Sequence, residues 1–432
     1  MNCKIINLVI CIVTIPLFCH SQTILFYNEI DSEANETIIE PDQIDFHCKI
    51  SNTTKSLHLN YTELKYLPSN FIDYQVPINC INLEGNQLTY IPKLFFEKFP
   101  NLTFLNIANN YISTYDLFRI EPCEKLETLI MDDNSKNEYQ YKSNLENYNR
   151  FPNLKQLYLR SNQIKSLGQA LRFYNFPKLT HLYLSRNTEK TGSLQDSVVN
   201  IPKFLLYLEI EDNGICRFNG TIFKNITQLH IGGNQFFSLG SSLQYNSYLN
   251  IKNMTNLKIL TATRCDMRKI NNDAFDGVKN LEKLNLSINF IDEIIDNTFK
   301  KLTTLKIISM SYNRLKKIPK EMSLKNLKQL FLNYNFIDTI EKNSLDNSHN
   351  LEKLYLRGNR IKTIEINSFQ NLVKLTNLDL RENEIHTFYI NWASNLKNLH
   401  NLNLINNNIS SIEFLYLENS FLKNVFFNSG QL

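Results

Sequence analysis

Along most of the chain, apolar residues return at the first, fourth, sixth and eleventh places of an eleven-residue string, with asparagine at the ninth. The segments "LEKLNLSINFI" (281–291) and "LEKLYLRGNRI" (351–361) show the pattern at its plainest. Its centre alternates with period two. That predicts a short strand whose fourth- and sixth-place side chains point one way and whose third-, fifth- and seventh-place side chains point the other. Copies start at Ile78, Leu102, Leu126, Leu154, Leu179, Leu205, Ile226, Leu257, Leu281, Leu305, Leu327, Leu351, Leu375 and Leu399, with weaker ones at Thr54 and Leu422. About sixteen repeats therefore fill 54–432. One repeat alone leaves an apolar edge uncovered, whereas stacked repeats share a continuous core.

The ninth-place asparagine has a physical reason. After the strand the chain must turn inside the stack, and buried backbone groups need partners there. An amide side chain both donates and accepts. Thirteen copies carry Asn at this place; Cys265, Thr62 and Gly430 stand there in the others. Cys265 is accordingly expected to be a buried structural thiol. Ninth places lie 24 residues apart in eight of fifteen intervals, but the intervals run 28, 25, 26, 21 and 31 between Asn134 and Cys265. The inserted stretches are "SKNEYQYKSNLENYNR", "TEKTGSLQDSVVN" and "FFSLGSSLQYNSYLN". They are expected either to carry loops over one face or to be drift that a solenoid tolerates.

The string L-x-x-L-x-L-x-x-N-x-L is the leucine-rich repeat signature. Tails with Phe95, Phe275, Phe299 and Phe369 resemble the extracellular subtype of Toll-like receptor ectodomains and secreted insect leucine-rich immune proteins. The resemblance implies an α/β fold: a right-handed leucine-rich repeat solenoid, curved into a horseshoe, with a parallel β-sheet on its concave side. It also implies a secreted, non-catalytic recognition protein of innate immunity that binds a protein or a microbial surface ligand. A cell-adhesion or matrix protein, and a soluble decoy or truncated form of a Toll-type receptor, stand as alternatives.

The amino-terminal residues 1–21 read as a secretory signal. Lys4 precedes an apolar run from Ile5 to Phe18, and Cys19 and Ser21 are small residues at the cleavage site. That run is shorter than the roughly 20 residues of a spanning helix, and no later segment is long and apolar enough to span a membrane. The chain is therefore expected to be secreted and extracellular. Residues 22–53 form an acidic segment and cap; between 22 and 48 stand seven Asp or Glu and no Lys or Arg. In an oxidising compartment Cys48 could reach Cys80 on the second copy's strand as a disulfide, although relatives usually carry a four-cysteine cap and this chain does not. Cys123 takes a place that Phe99 and Phe151 hold elsewhere, so a buried thiol is expected. Cys216 is the best candidate for an intermolecular bond. Glycosylation triplets begin at Asn35, Asn52, Asn60, Asn101, Asn219, Asn225, Asn253, Asn285 and Asn408. The array stops inside a repeat at Leu432. Either a homo- or hetero-dimer partner covers that last coil, or the chain is a short form.

With 46 Lys and Arg against 42 Asp and Glu, the net charge of +4 gives no argument for a nucleic-acid partner. The histidines show no metal-ligand spacing, and no nucleophile or phosphate-loop motif is present, so neither enzyme activity nor a cofactor or metal is expected. The candidate chemistry is a binding face. The third, fifth, seventh and eighth places are expected to face solvent, and two clusters of aromatic and charged residues stand out on them. One joins Tyr158, Arg160, Tyr183 and Arg186 to Glu209, Glu211 and Asp212; the other joins Phe331, Tyr334, Tyr355, Arg357, Asp379 and Arg381. Exposed aromatics beside arginine are what interface anchors are made of. Tyr and Phe also favour half-buried strands without any ligand.

Overall fold

The structure, a computed structural model, describes residues 55–68, 74–112 apart from 93, 122–134, 151–164, 176–187, 202–241, 246–410 apart from 296 and 323, and 422–426. The signal and acidic segments, Cys48, Asn35, Asn52, Gly430 and the inserted stretches 135–150 and 188–200 lie outside the described residues.

Sixteen three-residue strands, from Ser56–His58 to Asn424–Phe426, make one sheet in chain order, one strand for each repeat. Every pairing is parallel, and equivalent places align: Leu330 stands against Leu354, and Leu354 against Leu378. That register follows from the repeat, because a slip of one residue would turn every apolar side chain to the wrong face. The inward places fill a single core; Leu351, Leu354, Leu356 and Ile361 are all fully buried within one copy. Phenylalanines of the tails extend that core, with Phe275 and Phe299 at 5.5 Å between ring centres. Helix is scarce. Among the described residues the α-helical part of this α/β class is the four-residue Phe95–Lys98, and none is long and apolar enough to cross a membrane.

The asparagines form a ladder. Asn359 Nδ2 donates to Leu356 O at 2.9 Å in its own turn and to Leu332 O at 3.0 Å in the preceding one. Its Oδ1 accepts from the Ile337 amide at 3.1 Å. Asn383 repeats the arrangement on Leu380, Leu356 and Ile361. Cys265 keeps only part of it: Sγ reaches the Thr263 and Ile231 carbonyls at 3.3 and 3.4 Å. The acceptor it lacks is replaced by its own backbone, for Phe236 N donates to Cys265 O at 2.7 Å.

The insertion before Cys265 is absorbed by a second, five-stranded parallel sheet. Ser238–Leu239 and Tyr248–Asn250 both come from that one long interval and lie side by side in it, with Arg217–Asn219 beyond. Meanwhile the main sheet continues in register from Tyr207–Glu209 to Gln228–His230 to Ile259–Thr261. This stretch thus lengthens the second sheet and leaves the main sheet unbroken.

Candidate functional site

The open face of the main sheet is less exposed than the repeat phase predicts. Down its centre, the fifth-place residues Tyr158, Tyr183, Glu209, His230, Phe331 and Asp379 are buried, while Tyr355 is half-buried. The reason is geometric. Neighbouring strands lie only about 4.8 Å apart, so each central side chain is flanked on both sides by its counterparts.

In the first cluster the tyrosines are not exposed anchors. Tyr158 and Tyr183 stack at 4.1 Å with planes 4° apart, and Tyr207 and His230 continue the row at 4.8 and 5.1 Å. With Ala108 and Ile130 the three tyrosines form a second apolar cluster, separate from the core beneath the sheet. Arg160 lies across it, with its guanidinium 4.7 Å from the Tyr183 ring centre. It binds Glu209 through two hydrogen bonds of 2.7 Å and Asp132 at 3.3 Å. Ser185 Oγ donates to Glu209 Oε1 at 2.7 Å, and receives the Glu211 amide at 3.0 Å.

Burial governs the electrostatics here. It would raise the Glu209 carboxyl, but hydrogen bonds and charge from Arg160 outweigh it and hold the group below its ordinary value. Burial also raises Glu211 to about 7, helped by the charges of Glu209 and Asp212, and raises Asp132 to about 6 against the pull of Arg160. Burial lowers His230 to about 4; its Nε2 is buried without a hydrogen-bond partner. Arg186 and Asp212 do not join this network on the sheet. Both are exposed at the turn with φ near 60° and 53°.

The second cluster also divides. Phe331 and Tyr355 stack at 4.6 Å on the sheet itself. Beside them Arg381 holds the buried Asp379 with Nη2 to Oδ2 at 2.7 Å and Nε to Oδ1 at 3.0 Å. Around this floor opens a groove of about 360 Å³, walled by Gln329 and Lys353 on one side and by Asn333 and Arg381 on the other. Asn333 is fixed there, since its Oδ1 accepts from the Arg357 amide at 2.9 Å. Tyr334 and Arg357 belong instead to the sheet's edge. Tyr334 stacks on Tyr312 at 4.5 Å, Arg357 lies 5.4 Å from its ring centre, and both side chains reach Glu382.

The signal missed in the sequence is the turn. Every described eighth-place residue, from Tyr61 and Gly85 through Asp133, Arg186 and Tyr334 to Asn406, has positive φ. The eighth place therefore leaves the sheet and builds an edge. Two tenth-place pairs add to it: Arg314 over the exposed Phe290 and Arg360 over the exposed Phe336, both at 4.6 Å. An alternation of Phe and Arg at tenth places was the available sign.

Among the modification candidates, Asn285 is buried on the sheet, with its Oδ1 accepting the Ser287 amide at 3.0 Å. Asn225, Asn253 and Asn408 are exposed, while Asn60, Asn101 and Asn219 are half-buried. Cys80 is disulfide-bonded. Cys123 and Cys265 are buried thiols and Cys216 a half-buried one. Among the described residues no cluster of three or more His, Cys, Asp or Glu could hold a metal ion.

A family model described as leucine rich repeat matches residues 255–315, 320–361 and 349–409, and one described as leucine rich repeats (2 copies) matches 152–195. Leucine-rich repeats are thus matched over residues 152–195, 255–315 and 320–409. Lumican of Coturnix japonica is 26% identical over 269 residues, 57% of this chain and 66% of lumican. Among solved structures, a leucine-rich repeat protein of Leptospira interrogans aligns with a TM-score of 0.56 at 22% identity, over 83% of this chain and 91% of that one. The Toll receptor of Drosophila, in its complex with Spatzle, aligns with a TM-score of 0.52 at 20% identity, over 81% of this chain and 53% of the receptor chain. The fold thus resembles a Toll ectodomain. The match spans just under two thirds of lumican and about half of Toll.

Proposed function

We propose that this chain is a secreted recognition protein of innate immunity, which binds a protein or microbial surface ligand on the open face of its sheet and catalyses nothing. The groove over Phe331 and Tyr355 carries this reading, because it is the place where an aromatic floor, an ammonium and a guanidinium converge on one open cavity. Aromatic and Arg side chains are the residue types that dominate binding energy at interfaces. The Toll structure is described as a hub in development and innate immunity, and the proposal extends that kind of use here. A signal cleaved after Ser21, a Cys48–Cys80 disulfide and glycans on Asn225, Asn253 and Asn408 belong to the same reading. So does the choice of the Phe331 groove over the first cluster, where Arg160 is already paired with Glu209 and Asp132.

The test is a binding screen of the secreted chain against purified extracellular proteins and whole bacterial and fungal cells, run beside Tyr355→Ala. Partners that are lost with the variant support the reading. Partners that bind both proteins equally would move the binding site elsewhere.

A further inference from the structure

Charge on the open face is segregated. Over the strands from Cys80 to Glu209, the third, fifth and seventh places carry Glu84, Asp132, Glu209 and the adjoining Glu211 against a single Arg160. From Lys283 to Arg381 the same places carry Lys283, Lys353, Arg357 and Arg381 against a single Asp379. Internal pairs cancel part of the second group: Arg381 closes on Asp379 and Arg357 on Glu382. Lys283 and Lys353 are in no ion pair among the described residues, and Lys353 stands in the wall of the groove.

We propose that this groove seats an acidic side chain, Asp or Glu, that a protein partner presents next to an apolar residue. The inference rests on the open-face reading above and adds the chemistry of the ligand. Lys353, at a third place, and Arg381, at a seventh, flank Tyr355 at the fifth; successive same-face places lie about 6.6 Å apart along a strand. A carboxylate lying between them meets a cation on each side, while its neighbour rests on the Phe331–Tyr355 stack. The single Lys353 ammonium balances one negative charge. A phosphate dianion would ask for a bidentate guanidinium, and the Arg381 Nε and Nη2 edge is occupied by Asp379. The volume of about 360 Å³ lies at the small end of ligand pockets, about 300–1,000 Å³, which suits a side chain or two rather than a cofactor.

The experiment titrates the full secreted chain, in separate runs, with N-acetyl-phenylalanyl-glutamate amide and with its glutamine counterpart, followed by saturation-transfer NMR. The glutamate probe is expected to bind about fivefold tighter at low salt, the size of one part-exposed charge pair. The advantage should shrink as salt screens it. Lys353→Gln, whose circular dichroism is expected to match the parent, should bind both probes at the weaker level, and Tyr355→Ala should bind neither. Equal binding of the two probes, no binding of either, or a preference that survives Lys353→Gln would overturn the proposal. None of those results touches the open-face reading, which fails if natural partners bind Tyr355→Ala as well as the parent.

Discussion

Arg160 and Glu209 meet head-on although 49 residues and an intervening repeat separate them. The guanidinium reaches over the strand that carries Tyr183 and ties three repeats together, with Asp132 as its third point. Removing it leaves Glu209 a buried charge whose other hydrogen bonds, among the described residues, come from Ser185 and Tyr207. Breaking such a pair costs about 3–5 kcal/mol, whereas replacing both partners by apolar groups costs far less. Arg160→Met should therefore lower the melting temperature sharply, and Arg160→Met with Glu209→Leu should recover most of the loss. Equal losses in the single and double variants would show that the pair does not act as a unit.

The same network sets a pH dependence. Glu211 and Asp132 have folded-state values raised to about 7 and about 6 by burial, so the folded protein binds their protons more tightly than the unfolded chain does. Their contribution to stability is present below the ordinary carboxylate range and is lost as pH rises through about 6 to 7. His230, lowered to about 4 by burial, acts oppositely and costs stability as pH falls below its ordinary range. Two acids outweigh one base between pH 5 and 7. Thermal unfolding should show a modest rise in melting temperature on acidification from pH 7.5 to 5.5. Glu211→Gln should raise the pH 7.5 value and flatten the slope; an unchanged slope would contradict the assignment.

The asparagine ladder gives a contrast between two ninth places. Asn359→Ala leaves the Ile337 amide without its acceptor and removes two donated bonds, although the Leu332 and Leu356 carbonyls keep Asn335 and Asn383. With about 1–3 kcal/mol for the one buried amide left unsatisfied and up to about 1 kcal/mol for the bonds lost to the two carbonyls, a loss of about 2–3 kcal/mol is expected, together with faster hydrogen exchange at Ile337. Cys265→Ala should cost about 1 kcal/mol, because the Phe236 amide is already satisfied by the Cys265 backbone.

Much of this was legible in the string of residues. Sixteen apolar strings became sixteen strands, and a polar residue fixed at a buried ninth place pointed to the ladder. The fifth-place row was read wrongly, because alternation says which side of a strand a residue occupies and not how closely its counterparts on the next strands crowd it. Tyr158 and Tyr183 are deeply buried for that reason. The turn at the eighth place was hidden by its mixed occupants, since Tyr334 and Arg186 are unusual residues for positive φ. The reach of Arg160 to Glu209 has no local trace at all.

Gly358 tests the edge. It has φ of +67°, and a methyl group there would lie 2.3 Å from the Tyr334 ring. Gly358→Ala should destabilise by about 1–3 kcal/mol through backbone strain and displace Tyr334 from Glu382. Near-ultraviolet circular dichroism reads the loss of the Tyr312–Tyr334 stack, and a spectrum identical to the parent's would contradict that packing.

The most direct test of open-face recognition is a hydrogen-exchange footprint of the chain with its first captured protein partner. Protection is expected on the strands Gln329–Phe331, Lys353–Tyr355 and Asn377–Asp379. Protection confined to the Phe290 and Phe336 edge, or to the second sheet, would contradict it.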